Sequence, residues 1–357
     1  MELFIIAAVG LVIVLVISIL LLFSDKPIKH IIAEIKYEII YNVVGSKALL
    51  EDIVLREKND SAEIPMGKGK VALITGGARG IGVEVVKKLV ERDVHVIIGC
   101  RNVSSGEKVF QDIRQEGIEK GDVKVFPLDL ASLQSIKSFA NMIKSKYSKI
   151  HILINNAGKM FGPYMETEDG FESQFQTNYL GHFLLTHLLL PELKAAGEEN
   201  SKSRIVNVSS CAHLVGDIDF DDINFRKQYI ASAAYAQSKL AQILFSNHLH
   251  SLMKQENAPV AVYSLHPGIV DTELFDGTYL KKLAPGWAIR MLFKTPQQGA
   301  VTILYASLSH KLENHSGTYL SNCHIMPPCE LAYSTNLQDK LFEYSKSLLG
   351  IKLFGKE

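Results

Sequence analysis

Six short runs rich in Val, Ile and Leu, KVALITG, HVIIGC, KVFPLDL, IHILINNAG, SRIVNVSS and VAVYSLHPG, recur between positions 70 and 268, with longer helix-like stretches between them. Strand-length runs that alternate with helical segments build βαβ units, which wind into one parallel sheet covered by helices on both faces. The runs are apolar almost throughout, not only at every second residue, as strands buried on both sides require. Sheets of this kind gather ligands at the carboxyl ends of their strands. The residues that close each run are therefore where chemistry is expected.

The first run closes in TGGARGIG, Thr75 to Gly82, and a helical pattern with Val86, Leu89 and Val90 follows. Gly76, Gly80 and Gly82 allow a tight turn, close approach of the backbone to a pyrophosphate, and close packing of helix on strand. The helix N-terminus then offers N–H groups and positive potential to a phosphate. A dinucleotide is the ligand this pattern predicts. The second run ends at Cys100 and Arg101, roughly 20 residues on, where an enzyme for NAD would place Asp or Glu against the ribose 2′-hydroxyl. No carboxylate stands there. Arg79 and Arg101 are suited instead to grip a 2′-phosphate through charge-assisted hydrogen bonds. NADP(H) is the expected cofactor, with NAD(H) left open.

Farther on, AYAQSKLAQ puts Tyr235 and Lys239 one helical turn apart, close enough for the ammonium to lower the phenol pKa. Such pairs occur by chance on many solvated helices, so the surroundings decide. Together these stretches resemble the short-chain dehydrogenase/reductase family, from about Gly69 to Leu320. TGGARGIG is similar to the family's TGxxxGxG loop, Asp129 and Leu130 of PLDL to its adenine pocket, and Asn155 to Gly158 (NNAG) to its sheet-stabilising motif. PGIVDT, from Pro267 to Thr272, resembles the segment that fixes the nicotinamide, and Asn178, Ser210, Tyr235 and Lys239 fall at the catalytic tetrad. Within the family the likeness is to the membrane-anchored retinol-dehydrogenase-like branch, including its X-chromosome-encoded polyprenol dehydrogenase-like member. DGFESQFQTNYLGHFLLTHLLLPEL, YSLHPGIVDTELF, LFKTPQQGA and GTYLSNCH carry it.

The resemblance implies a Rossmann-type doubly wound sheet and cofactor contacts from Thr75, Gly76, Arg79, Gly80, Ile81, Gly82, Arg101, Asp129, Leu130, Asn156, Ala157, Gly158, Tyr235, Lys239, Pro267, Gly268 and Thr272. It also implies interconversion of a carbonyl and its alcohol. Ser210 orients the substrate oxygen and Tyr235 exchanges the proton with it. Lys239 favours the tyrosinate and bonds the nicotinamide ribose, and Asn178 holds a water that links Lys239 to solvent. Ser209 faces away by strand alternation, while His182 and His187 read as packed residues of an apolar helix.

Ahead of this region, Leu3 to Phe23 carries no charge and is long enough to cross the ~30 Å hydrocarbon core as a helix. It exceeds the roughly 7 to 15 apolar residues of a cleavable signal. Lys26, Lys29, His30 and Lys36 follow it and only Glu2 precedes it, so the rest of the chain is expected on the cytosolic side. The chain then divides into a transmembrane anchor at 1–24, a helical stalk and linker at 25–68, a catalytic domain at 69–321, and a tail with an amphipathic helix at 322–357. A lid at 273–298 brings Tyr279, Leu283, Trp287, Ile289, Met291, Leu292 and Phe293 toward an apolar substrate. The lid and the tail stretch FEYSKSLLGIKLF are alternatively candidates for leaning on the bilayer, as is the stalk.

Lysines plus arginines and acidic residues balance at 38 each, which gives no sign of a nucleic-acid partner. Cys100, Cys211, Cys323 and Cys329 are scattered, which suggests neither a disulfide framework nor a metal site. The expectation is a membrane-anchored, NADP(H)-dependent oxidoreductase for a lipophilic aldehyde or ketone, retinal-like or another prenoid. The endoplasmic reticulum is the first expected location, with lipid droplets or mitochondrial membrane as alternatives. Two other readings stay open, an NAD-using hydroxysteroid or polyprenol dehydrogenase and a non-catalytic cofactor-binding scaffold. The sequence allows a homodimer without requiring one.

Overall fold

The computed structural model describes residues 26–55, 62–276 and 285–356, together with positions 15, 16, 18, 19, 23, 278 and 281. The Leu3 to Phe23 run lies almost wholly outside the described residues, as do Tyr279 and Leu283 of the expected lid. Among the described residues no helix is long and apolar enough to cross a membrane.

Each of the six apolar runs is a strand: β1 (Val71–Thr75), β2 (His95–Cys100), β3 (Asp122–Pro127), β4 (Ile152–Asn155), β5 (Ser203–Val208) and β6 (Val260–His266). They lie parallel in the order β3-β2-β1-β4-β5-β6. Two short strands that the sequence reading did not foresee extend this sheet. β7 (Thr318–Ser321) runs parallel to β6, and β8 (His324–Met326) turns back antiparallel on β7. The strand order reverses between β1 and β4, which opens a crevice at their carboxyl ends.

Nine helices among the described residues matter here: α1 (Ile28–Val54), α2 (Ile81–Glu91), α3 (Val103–Gln115), α4 (Leu133–Lys146), α5 (Gly181–Ala196), α6 (Ala231–Gln255), α7 (Gly286–Leu292), α8 (Pro296–Leu308) and α9 (Thr335–Leu349). Side chains on a strand alternate between faces, and β1 shows the consequence. Leu73 packs under α4, α5, α6 and α9 with Phe139, Phe183, Phe245 and Leu341, whereas Ala72 and Ile74 pack under α2 and α8 with Val86, Leu89 and Ile303. Burying one such side chain contributes about 1.5–3 kcal/mol, so both faces hold the sheet. Capping residues set several helix starts: the Asn102 side chain accepts from the Ser105 N–H, and Thr295 and Gln298 form a capping box at α8.

Two segments pack on the domain in ways the sequence did not specify. In the tail, α9 packs on α6, and Phe342 and Phe354 sit 5.2 Å and 5.0 Å from the Phe183 ring. Its apolar face, with Leu341, Phe342 and Phe354, joins the main core, while Leu353 stays 62% exposed. The segment expected as a stalk is α1, and it docks on the domain. One of its faces carries Tyr37, Tyr41, Ala48, Leu49 and Asp52, and these find partners there. Tyr37 donates to the Val215 carbonyl at 2.8 Å, and Asp52 accepts from the Ile269 N–H at 2.7 Å.

Candidate active site

A cavity of about 950 Å³ opens at the carboxyl ends of β1, β4, β5 and β6. All the residues expected to contact cofactor line it except Thr75. Gly76 turns at φ +69 and Gly80 at φ +55, in the left-handed region where a side chain is strained. A Cβ on Gly82 would strike the Gly76 carbonyl. Bare backbone therefore forms a cradle at the N-terminus of α2, and this fits a pyrophosphate. Thr75 works beneath the cradle. Its Oγ1 accepts from the Asn156 and Ala157 N–H groups at 3.0 Å each and meets His182 Nε2 at 2.8 Å, tying β1 to the NNAG turn. Asn155 donates to Asn207 Oδ1 at 2.7 Å, which bonds β4 to β5. Asp129 Oδ1 accepts from the Ala131 N–H at 2.9 Å and shapes the turn after β3. Arg79 and Arg101 stand exposed at the rim.

α6 carries Tyr235 and Lys239, each 4% exposed. The Lys239 Nζ lies 5.6 Å from the Tyr235 ring centre and donates to the carbonyl of Val208, the last residue of β5, at 2.9 Å. Ser210, just past β5, lines the cavity and hydrogen-bonds Tyr235. Ser209, which also lines the cavity, donates instead to the Lys239 carbonyl at 2.7 Å, so its hydroxyl is committed elsewhere. Asn178 lies in a π-helical turn, Gln176–Leu180, a feature frequent at functional sites. Its side chain is committed. Oδ1 accepts from the Lys159 N–H at 2.7 Å, and Nδ2 donates to the Lys159 carbonyl and to Ser238 Oγ at 2.9 Å each. A Cβ on Gly158 would stand 3.6 Å from both Asn178 Oδ1 and Lys239 Nζ. Asn178 thus pins the loop after β4 against α6 and is not among the residues lining the cavity.

Burial decides the protonation states. It pushes the Tyr235 phenol up, and the hydrogen bond with Ser210 opposes that shift in part. The shift is therefore opposite to the depression expected from Lys239, because desolvation disfavours the charged form of both buried residues. Burial brings the Lys239 ammonium down to about 8. His182, packed as expected, is held down near 4 by the same cause.

At the substrate end Ile289, Leu292 and Phe293 of the expected lid line the cavity, whereas Met291 and the 57% exposed Trp287 do not, and the contribution of α1 was hidden from the sequence. α1 supplies Tyr41, Asn42 and Leu49 to the cavity wall, and α7 supplies Ala288, Ile289 and Leu292. Tyr41, Phe161 and Tyr235 form an edge-to-face row with centroids 5.7 Å and 6.0 Å apart. Phe161 adopts φ +62, unusual for a bulky residue, and its N–H is held by Gln174 Oε1 at 2.8 Å. Behind this wall Asp52 joins α1 to Lys294 by a buried ion pair and to the segment expected to fix the nicotinamide by a hydrogen bond. Asp52 Oδ1 meets Lys294 Nζ at 3.1 Å and accepts from Asn322 Nδ2 at 3.1 Å, while its Oδ2 takes the Ile269 N–H. Gly268, at φ +99, makes room for both charged groups. Only the run of small and apolar residues in α1 hinted at a packed face.

Comparison with known proteins places this site in a lineage. The family model described as short chain dehydrogenase matches residues 70–282. The chain is 42% identical to "Polyprenol dehydrogenase" of Danio rerio over 81% of this chain and 90% of the relative. It is likewise 42% identical to "Retinol dehydrogenase 12" of Mus musculus over 80% of this chain and 87% of the relative. Among solved structures, an uncharacterized protein from Mycobacterium Paratuberculosis superposes with a TM-score of 0.66 at 30% identity, covering 82% of this chain and 98% of that one. The "RhlG/NADP active-site complex" of Pseudomonas aeruginosa shares the fold at a TM-score of 0.57 and 22% identity, covering 71% and 95%.

Proposed function

The chain belongs to the short-chain dehydrogenase family, and from that premise we propose that it is a membrane-anchored, NADP(H)-dependent reductase of a lipophilic aldehyde or ketone. The carbonyl is retinal-like or another prenoid, and the alcohol is the product. One observation carries this reading: Ser210, Tyr235 and Lys239 converge in the cavity that the glycine cradle opens, and the opposite wall is apolar and aromatic. When bound, NADPH supplies the hydride. The backbone of Gly76 to Gly82 would hold its pyrophosphate, and Arg79 and Arg101 its 2′-phosphate.

Ser210 orients the carbonyl oxygen. Tyr235, kept protonated by burial, donates its proton as charge develops on that oxygen. Lys239 stabilises the tyrosinate left behind and would hold the nicotinamide ribose, while Asn178 fixes the loop between them. The reverse reaction uses Tyr235 as base. Tyr41, Leu49, Ile289 and Leu292 supply the apolar contact that a prenoid chain needs. Relatives named polyprenol and retinol dehydrogenases support this substrate class. The uncharged run from Leu3 to Phe23, with lysines after it, supports a single-pass anchor with the domain on the cytosolic side, first of all at the endoplasmic reticulum.

The test is purified full-length protein supplied with NADPH or NADH and all-trans-retinal, a polyprenal or a ketosteroid. NADPH-dependent turnover of the two prenoid aldehydes is expected. Turnover with NADH alone, or of the ketosteroid alone, contradicts the reading.

A further inference from the structure

α1 has two faces, and the active site accounts for only one. The inward face carries Tyr37, Tyr41, Ala48, Leu49 and Asp52. On the outward face Ile28, Ile32, Ile39 and Val43 are 76%, 48%, 43% and 63% exposed. At 3.6 residues per turn, these four form one stripe along the helix. Lys29, Lys36 and Lys47, all exposed, run beside it. The carboxylates of α1 are already engaged, Glu34 by Lys26 at 2.6 Å, Glu38 by Ser232 at 2.5 Å, Glu51 by Lys47 at 3.9 Å and Asp52 by Lys294. What faces outward is an isoleucine stripe edged with cations whose stems can lie along apolar surface. Trp287, 57% exposed, stands on α7, which packs against the C-terminal half of α1.

We propose that the outward face of α1 docks on an anionic lipid bilayer and lies in the headgroup region, while its inward face walls the cavity, so that substrate enters from the membrane. Three features choose lipid as the occupant. The helix starts a few residues after an uncharged run of bilayer-spanning length. Lys29, Lys36 and Lys47 are exposed beside the stripe and only Glu51, with a 40% exposed side chain, opposes them, so the excess is positive, the sign attracted to anionic headgroups. A stripe of branched aliphatics with flanking lysines is the pattern of helices that lie in the interface. The proposal rests on the membrane reading above only for the nearness of a bilayer.

The chain has one tryptophan, which makes a direct test available. In full-length protein reconstituted into phosphatidylcholine and phosphatidylserine vesicles, Trp287→Phe clears the background and Val43→Trp places the reporter on α1. Ile39→Trp is the second reporter, and an unchanged NADPH-dependent rate checks folding. The proposal expects a blue-shifted emission that loses intensity when the acyl chains are brominated, more so with phosphatidylserine than without it. Emission typical of water with no loss to brominated lipid overturns it, even if the protein resists alkaline extraction and the anchor stands. A blue shift without loss to brominated lipid also overturns it, by showing that a protein or a second copy covers the stripe. Loss to brominated lipid in protein that alkaline extraction removes sinks the anchor and keeps the docking face.

Discussion

The cofactor half of this cavity and its substrate half are built by different rules. In the first, loops that close consecutive strands each deliver their groups within a few residues: Gly76 to Gly82 after β1, Arg101 after β2, Asp129 after β3, Asn156 to Gly158 after β4. In the second, the wall is assembled from segments that meet only in the folded protein. Asp52 reaches Ile269 across 217 positions and Asn322 across 270, and Tyr41 approaches Tyr235 through Phe161. Binding a dinucleotide asks for backbone conformations, which are encoded locally. Choosing a substrate asks for a shaped apolar surface, which tertiary packing encodes.

The largest effect that would sharpen this division falls on the catalytic pair. Lys239→Met should lower kcat by about 10²- to 10⁴-fold in steady-state assays while the cavity wall stays intact. Burial holds Lys239 near 8, below its ordinary 10.5, so its charge is present below that pH and lost as pH rises through it. The reduction rate should fall on that alkaline side, and residual activity in Lys239→Arg should keep its rate to higher pH. The same shift means that burying Lys239 costs stability below about pH 8, a cost that fades toward 10.5.

Next comes the joint between the halves. Asp52→Ala leaves the Lys294 charge buried with Asn322 but without its counter-ion, and should destabilise the protein by about 3–5 kcal/mol in denaturant unfolding. Asp52→Ala combined with Lys294→Met should recover much of that loss. If Asp52→Ala proves neutral, α1 is no part of the folded domain. Within the cofactor half, Arg101→Ala should remove a charge-assisted contact worth about 1.5–3 kcal/mol, read as weaker NADPH binding with NADH binding unchanged. The smallest effect belongs to the wall. Tyr41→Ala should cost about 0.5–1.5 kcal/mol beyond lost contact area, seen in KM for a prenoid aldehyde and absent for a short one. An equal loss with NADPH affinity would break the division.

The same contrast explains what the sequence disclosed. Strands β1 to β6 were legible because burial on both faces leaves uninterrupted apolar runs, and the cradle because only glycine tolerates those turns. β7 (TYLS) and β8 (HIM) carry no uninterrupted apolar run that would stand out. Asp52 was silent because a lone acid in a helix looks solvated until Lys294, Asn322 and Ile269 are brought beside it. Asn178 was found by its place in a motif, yet its bonds to Lys159 and Ser238 depend on the π-helical turn, which no residue pattern announces. The tail was legible as an amphipathic helix, but not what its apolar face meets, since such a helix looks the same whether that face meets lipid or Phe183.

The central claim is that the buried Tyr235 phenol transfers the proton beside a bound dinucleotide. Tyr235→Phe tests it in one preparation, by NADPH titration and single-turnover reduction of a prenoid aldehyde. The account predicts near-native NADPH affinity with reduction slowed by about 10²- to 10⁴-fold. Reduction at the native rate by Tyr235→Phe would contradict it.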